Sequence, residues 1–222
     1  MKVLVLSNTP WDVNNSFGNS YSNIFGGMEN LEFANIYCRA GQPNNELNIQ
    51  YFQIPTSDMA KSIIKRRHKT GKRVQKTAGS AKELDSVSSN LFSFSRKHRW
   101  ILLLWAREVI WRLGKWKTKE LLDFLDGFEP ELIFQPIYGQ GYSYLANMAL
   151  FIKKHTGVPM VGYVSDDCYT LRQFSLSPLY WIDRLMRRPK LGKLMRSCEW
   201  MYVISDIQKQ EYEKMLGIPC KV

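Results

Sequence analysis

The strongest constraint on the fold is a regular alternation of strand and helix in the second half of the chain. After Pro130, apolar runs typical of buried strands occupy residues 132–137, 159–164 and 200–204, and a segment with helical character follows each one. Parallel strands joined by helices require right-handed crossovers, which build a doubly wound sheet with helices on both faces. The sequence therefore predicts an α/β protein with a Rossmann-like parallel sheet.

The first half adds strands to the same sheet. Residues 3–6 form a continuous apolar run of the kind found in parallel sheets that are covered on both faces. Residues 31–38 and 49–54 are further strand candidates, and residues 16–28 have helical potential. With 222 residues and 45% hydrophobic content, the chain is predicted to form one domain, 1–222.

A basic excursion at about 58–126 interrupts this pattern. Residues 58–67 are predicted to be helical, and residues 97–126 are predicted to form two helices broken near Gly114. Between them, residues 68–95 are rich in Lys, Ser, Thr and Gly, which is the composition of a mobile segment.

Cysteine usage and hydropathy indicate a reduced, cytoplasmic environment. The longest unbroken apolar run, residues 100–106, is far shorter than the ~20 residues of a spanning helix, and the N-terminus lacks the pattern of a signal peptide. The cysteines show no metal-ligand spacing, so we expect reduced thiols, no metal and no cofactor. They are Cys38, Cys168, Cys198 and Cys220.

The positive charge is concentrated in one segment. Residues 61–117 carry a balance of +13, whereas the rest of the chain sums to −2. Within 96–117, four tryptophans alternate with seven Lys and Arg, a pattern that suits an anionic membrane interface at the inner face of the membrane. The alternative is that the tryptophans belong to the core and the cations to its rim; nucleic-acid contact lacks a recognisable module. The tryptophans are Trp100, Trp105, Trp111 and Trp116.

Ligands of doubly wound sheets bind at the carboxyl ends of the strands, so the loops that follow the strands are the candidate sites. The first loop, residues 7–19, is rich in short polar side chains and leads into a helix, where backbone amides favour an anion such as a diphosphate. Ordinary turn formation explains the same residues. The candidates are Asn15, Ser16, Phe17, Gly18 and Asn19.

The second loop, residues 135–142, combines amides, tyrosines and two glycines. Gln135, Tyr138 and Gln140 suit a sugar, which presents hydroxyls at its edge and C–H groups on its faces. An ordinary turn before a helix is the competing interpretation.

The third loop contains the most specific signal, the adjacent carboxylates of Asp166 and Asp167. Like charges at a strand end repel each other and raise one pKa unless they are solvated or used. One carboxylate is therefore a candidate to accept a proton from a hydroxyl or to orient it, whereas a helix cap is the alternative for either. Ser205 and Gln208 form a predicted capping box further along.

The runs VGYVSDD and EWMYVISDIQKQEYEKMLGIPCKV, with the opening KVLVLSNTPWDVNNSFGNSYSNIFGGM, resemble the N-terminal domain of retaining, family-four-like bacterial glycosyltransferases of the GT-B fold. The resemblance covers roughly residues 1–55 and 130–222. It implies an acceptor-binding half of the fold, with the nucleotide-sugar held mainly by a C-terminal domain absent from this chain, so the fragment alone is expected to be inactive.

The resemblance also implies a role for the residues that directly follow the predicted strand 159–164. Many relatives have a histidine–aspartate pair where this chain has Ser165 and Asp166. Asp166 is therefore the expected catalytic residue, and the serine weakens the case for a direct general base. Further acceptor-cleft residues are expected from their position just after the strands 159–164 and 200–204, namely Asp167, Tyr169, Arg172 and Ser205.

Two functions of different class follow. The first is transfer of a glycosyl group to an acceptor hydroxyl by the longer enzyme. The second is a non-catalytic Rossmann-like binding module that uses its basic aromatic helix on a membrane or a polyanion.

Overall fold

The computed structural model describes residues 1–65, 67–75, 101–139 and 141–222, and these residues build one eight-stranded sheet. The spatial order of the strands is β4-β3-β2-β1-β5-β6-β7-β8, and all neighbours are parallel except β3 and β4. The strands are β1 Lys2–Ser7, β2 Glu32–Tyr37, β3 Ile49–Gln53, β4 Lys72–Val74, β5 Leu132–Pro136, β6 Met160–Val164, β7 Trp200–Val203 and β8 Cys220–Lys221.

Seven helices are described, and local sequence signals fix several of their ends. The side chains of Asn15, Thr118 and Ser205 accept hydrogen bonds from backbone N–H groups in the first turns of α1, α4 and α7. Gly157 and Gly217 close α5 and α7 in the left-handed conformation. The helices are α1 Ser16–Phe25, α2 Thr56–Ile64, α3 Ile101–Leu113, α4 Lys119–Phe128, α5 Ser143–Thr156, α6 Pro178–Arg196 and α7 Asp206–Leu216.

Alternate residues of the central strand enter two separate cores. Val3 and Val5 of β1 pack in a cluster with Phe25 of α1. Leu4 and Leu6 belong to the larger cluster that includes residues of α2 to α7. Helices therefore cover both faces, and the predicted doubly wound α/β fold is confirmed.

The strand order reverses between β1 and β5. From β1 the chain runs to β2 and β3 on one side, and β5 to β8 extend the sheet on the other. At such a reversal the connections on the two sides diverge and leave a crevice at the carboxyl ends of the strands.

The excursion differs in part from its prediction. The break near Gly114 separates α3 from α4 as expected. Residues 72–74 instead form β4, which pairs antiparallel with β3, and Thr70 beside them is buried. The sequence missed this strand because its three residues are mostly charged and carry no alternation. Residues 76–95, predicted to be mobile, lie outside the described residues.

Gly18 is a point of close backbone approach. A Cβ built on Gly18 would overlap the backbone oxygen of Asp12. We predict that Gly18→Ala lowers the free energy of unfolding by about 2 kcal/mol or more, because α1 must move away from the loop.

Gly27→Ala is the matched control, because a Cβ there meets nothing within 4 Å. Its effect is expected to stay within about 0.5 kcal/mol. Urea denaturation followed by circular dichroism measures both. Equal stability of the two variants would contradict the close packing of α1.

Candidate functional site

Loops from three strands meet at the carboxyl edge of the sheet. The Tyr144 hydroxyl of α5 donates a hydrogen bond to Asn8 Oδ1, 2.8 Å away, which joins the loops after β1 and β5. A Cβ on Gly139 would lie 3.7 Å from Cys168 Cβ, so the loop after β5 also touches the loop after β6. We call the region between the ends of β1 and β5 the switch crevice.

The loop after β1 is fixed by contacts with α1 and with the segment around Asn44. Trp11 is fully buried, and its indole Nε1 donates to Ser22 Oγ at 2.9 Å. The backbone N–H of Val13 donates to the oxygen of Asn44, where Asp12 and Asn44 form an isolated bridge. The loop is therefore a packed part of the fold.

The start of α1 is already occupied by groups of the chain itself. Asn15 Oδ1 accepts from Gly18 N at 2.8 Å, and Asn15 Nδ2 donates to the Pro10 oxygen at 3.0 Å. The Asp12 carboxylate accepts from Asn14 N at 2.9 Å and lies just before the helix. A fixed negative charge and a filled cap both oppose binding of a diphosphate at this terminus.

The other candidates of this loop divide between core and solvent. The ring of Phe17 is half-buried, 4.5 Å from the ring of Tyr21 and 5.9 Å from that of Trp11. Ser16 and Asn19 are exposed on the first turns of α1. Phe17 thus has a packing role, whereas the two polar residues are open to a ligand.

The loop after β5 places tyrosines at the switch crevice. The rings of Tyr138 and Tyr142 lie 5.2 Å apart. Burial raises the pKa of Tyr138, as do the neighbouring tyrosine and cysteine, and the backbone of Asn8 offsets this in part. The Tyr138 hydroxyl is buried and has no partner of normal hydrogen-bond geometry within the described part of the chain.

Gln135 points into a closed environment. Its side chain is buried, and Nε2 donates to the oxygen of Pro136 at 2.6 Å. Oε1 lacks a partner among the residues the structure describes. Gln140 lies outside the described residues.

Asp167 holds three parts of the domain together. Its carboxylate accepts hydrogen bonds from the backbone N–H groups of Tyr169 and Thr170, at 3.1 and 2.9 Å, and from the Thr170 hydroxyl. The Tyr212 hydroxyl of α7 donates to it at 3.1 Å, and Arg184 of α6 pairs with it at 3.2 Å. Burial alone would raise the pKa of Asp167, but these hydrogen bonds outweigh it and lower the pKa.

Asp166 has the opposite environment. Its carboxylate is exposed and makes no hydrogen bond or ion pair with any described residue. It directly follows Ser165 at the end of β6, beside the loop that Gly139 contacts. Of the two adjacent carboxylates, Asp167 is used by the fold and Asp166 is available to a ligand.

Tyr169 and Arg172 lie in the same loop and face different ways. Tyr169 is buried, and the guanidinium of Arg188 lies 4.9 Å from its ring centre. Arg172 is mostly exposed and forms an ion pair with Glu211 of α7. Tyr169 therefore packs the loop against α6, and Arg172 connects the loop to α7 at the surface.

Ser205 acts as a helix cap. Its hydroxyl oxygen accepts from Gln208 N at 3.3 Å, as the predicted capping box requires. The return bond differs by one residue, because Gln208 Oε1 accepts from the backbone of Ile204 rather than of Ser205. Ser205 is therefore committed to α7.

Two charged residues of α3 belong to this region and were missed by sequence reasoning. Arg107 is buried, donates to the Gly141 oxygen, and lies 4.8 Å from the ring centre of Tyr142. Glu108 accepts from Ser143 N at 2.8 Å, at the first turn of α5. Burial raises the pKa of Glu108, and nearby cations and backbone N–H groups lower it in part. No local signal distinguishes these two from the other charges of the basic segment.

The tryptophans of the basic segment face the domain. Trp111 is buried and stacks on Tyr144 with ring centres 4.3 Å apart. Trp116 is buried, and Trp105 Nε1 donates to Asp183 Oδ1 of α6 at 2.9 Å. The core interpretation therefore holds for these three side chains, and Trp100 lies outside the described residues.

None of the described helices is long and apolar enough to cross a bilayer. The described residues contain no group of three or more His, Cys, Asp or Glu side chains placed to hold a metal ion. An open depression of about 560 Å³ lies at the amino end of β3, away from the switch crevice and from Asp166.

No protein-family model and no curated protein matches this chain. Solved structures that it resembles include two plant UDP-glycosyltransferases. Glycyrrhiza uralensis UGT73P12, complexed with glycyrrhetinic acid 3-O-monoglucuronide, is 10% identical, with 99% of this chain and 48% of that chain covered at a TM-score of 0.44. Phytolacca americana UGT2, complexed with UDP-2fluoro-glucose and pterostilbene, is 7% identical, with 99% and 53% covered at 0.44. The chain spans about half the length of each.

Substitutions of Asp166 and Asp167 are expected to differ in their effect on the free energy of unfolding. We predict that Asp167→Asn lowers the free energy of unfolding by about 2 kcal/mol at pH 7, because the amide cannot pair with the buried Arg184. Asp166→Asn, the matched control, is expected to change it by less than about 0.5 kcal/mol.

The contribution of the Asp167 carboxylate to the free energy of unfolding is expected to fall in acid. Because the folded pKa of Asp167 lies below its unfolded value, the wild-type carboxylate stabilises the fold above about pH 4 and loses this contribution as the pH falls further. The gap between wild type and Asp167→Asn should therefore narrow in acid. Urea titrations from pH 3 to pH 7 measure it, and a gap that is constant with pH would contradict the role of the charge.

Proposed function

We propose that this chain is the acceptor-binding half of a nucleotide-sugar-dependent glycosyltransferase, with Asp166 directed at the acceptor hydroxyl. The observation that carries the proposal is the contrast between two neighbouring carboxylates. Asp167 is fixed by Arg184 and Tyr212, and Asp166 is left exposed at the carboxyl end of β6. An exposed carboxylate on a rigid loop, at the ligand-binding edge of the sheet, is positioned to receive a hydrogen bond from a substrate.

The switch crevice supports a carbohydrate acceptor. Tyr138 and Tyr142 offer aromatic faces to the C–H surfaces of a sugar. The amide of Asn8 is held at the crevice by Tyr144. Apolar surface with a few fixed polar groups is the usual composition of a small-molecule site.

The reaction follows from the resemblance to retaining transferases. The acceptor oxygen forms a bond to the anomeric carbon of the donor, and the bond from that carbon to the diphosphate oxygen breaks. The diphosphate leaves with the electron pair, and the hydroxyl proton passes to a base or to the departing phosphate. Asp166 orients the acceptor hydroxyl. The nucleotide-sugar donor is bound mainly by a second domain.

A non-catalytic binding module is the second candidate function. The observation in its favour is the exposed cationic and apolar surface around α3 and α6. Such a module requires neither Asp166 nor the switch crevice, so the two functions differ in their response to the same substitution.

The main test uses the protein in which this chain is joined to a donor-binding domain. Asp166→Asn is expected to lower kcat by about 10² or more, because a charge that orients the acceptor is lost. The KM for the donor should change little. Asp123→Asn, an exposed aspartate on α4, is the matched control and should leave turnover unchanged.

Two outcomes would contradict the proposal. Normal turnover with Asp166→Asn would remove the carboxylate from the reaction. Loss of donor binding with intact acceptor binding would show that this half does not serve the acceptor. Saturation-transfer NMR on the 222-residue chain, with oligosaccharides against UDP-sugars, tests the same assignment without activity.

A further inference from the structure

Exposed apolar side chains are concentrated in two segments of the described chain. Of the twenty large hydrophobic residues that are exposed, ten lie in α3 or in residues 171–186. Large contiguous apolar patches on a soluble domain mark an interaction site. The ten are Leu102, Val109, Leu113, Leu171, Phe174, Leu176, Leu179, Ile182, Leu185 and Met186.

Helix α3 carries one of the two stripes. Leu102, Val109 and Leu113 are 52% to 61% exposed and recur at the spacing of a single helix face. Trp111 and Arg107 lie on the opposite face and are buried. The apolar stripe is therefore the outer surface of a helix whose inner surface is already packed.

Helix α6 and the loop before it carry the other stripe. Leu179, Ile182 and Met186 face outward, whereas Arg184 and Arg187 are buried on the inner side. In the preceding loop, Phe174 and Leu176 are 83% and 88% exposed. This distribution reverses the usual one, in which the apolar residues of a helix are inside and the arginines outside.

A direct contact joins the two helices. Trp105 of α3 donates to Asp183 of α6, and Asp183 also pairs with Arg187 at 2.6 Å. Lys190 of α6 is close enough to Glu108 of α3 to lower the pKa of that carboxyl. The two stripes consequently flank one interhelical contact, and we call them together the α3/α6 surface.

The charge around the α3/α6 surface is mostly positive. Residues 101–117 and 171–196 together contain eleven Lys and Arg and two acids, and eight of these cations remain when the buried Arg107, Arg184 and Arg187 are left aside. Both acids are engaged, because Glu108 caps α5 and Asp183 is held between Trp105 and Arg187. Exposed Arg112, Lys193 and Arg196 thus stand beside the apolar stripes without an acidic partner in these segments.

We infer that the α3/α6 surface binds an anionic lipid bilayer. Apolar side chains flanked by cations match an interface in which acyl chains lie beneath negatively charged headgroups. Nucleic acid would match the cations and leave ten apolar side chains without a use. A second copy of the chain would bring two positive surfaces together, which is unfavourable.

The inferred surface differs from the one that the sequence predicted. The sequence offered membrane contact by the tryptophans of the basic segment as one of two interpretations, and Trp105, Trp111 and Trp116 are used within the fold. The leucines and valine on the other side of α3, and a segment about 70 residues further along, form the surface instead. The inference does not depend on the proposed glycosyl transfer.

The test is co-sedimentation of the 222-residue chain with vesicles of phosphatidylcholine alone or with about 30% phosphatidylglycerol. We expect binding to the anionic vesicles to be at least about tenfold stronger than to the neutral ones, and to weaken as salt rises. Measurements on each variant below are paired with circular dichroism, so that a folding defect is recognised.

Two pairs of substitutions address the two components. Leu176→Gln with Met186→Gln removes apolar contact, and Lys193→Glu with Arg196→Glu reverses charge. All four side chains are exposed. Each double variant should weaken binding to the anionic vesicles by about tenfold or more. Matched controls lie outside the surface. Ile24→Gln with Ile207→Gln, and Lys154→Glu with Lys214→Glu, change residues that are also exposed and should have less effect.

Four results would overturn the inference. The first is equal binding to neutral and anionic vesicles, and the second is an equal loss of vesicle binding in the surface variants and the control variants. RNA binding that ignores the apolar pair would assign the surface to nucleic acid. A dimer in sedimentation velocity that the apolar pair dissolves would assign it to a second copy.

Discussion

The candidate site depends on the hydrogen bonds and the ion pair that the Asp167 carboxylate makes. The carboxylate connects its own loop to α6 through Arg184 and to α7 through Tyr212, and it receives two backbone N–H groups of the loop. Without it, the cation of Arg184 would be buried beside an irregular segment. The position of Asp166 at the edge of the sheet is therefore a consequence of the bonds made by its neighbour.

Most strands and helices could be predicted because their signals are local. Apolar runs marked β1, β5, β6 and β7, and caps such as Ser205 and Gly217 marked the ends of α7. The difference between Asp166 and Asp167 could not be predicted. It is decided by side chains 17 and 45 residues further along, which only the tertiary structure brings to the loop.

The basic segment shows a second limit of sequence reasoning. A helix with tryptophans, leucines and arginines has several amphipathic interpretations, and composition does not tell which face is inside. The structure buries Trp111 and Arg107 and leaves Leu102 and Leu113 outside. Arg107 is accepted in the interior because the oxygen of Gly141 and the ring of Tyr142 surround its guanidinium.

The central position of β1 also affects how the chain reaches this structure. Lys2 pairs with Glu32 of β2, about 30 residues on, whereas Val3 pairs with Leu132 of β5, separated by about 129 residues. During synthesis, at about 5–20 residues per second, β5 emerges on the order of ten seconds after β1. The edge of β1 that pairs with β5 is unpaired throughout that interval. An unpaired edge of a buried strand is prone to pair with other chains, so the nascent chain is open to aggregation until β5 has been made.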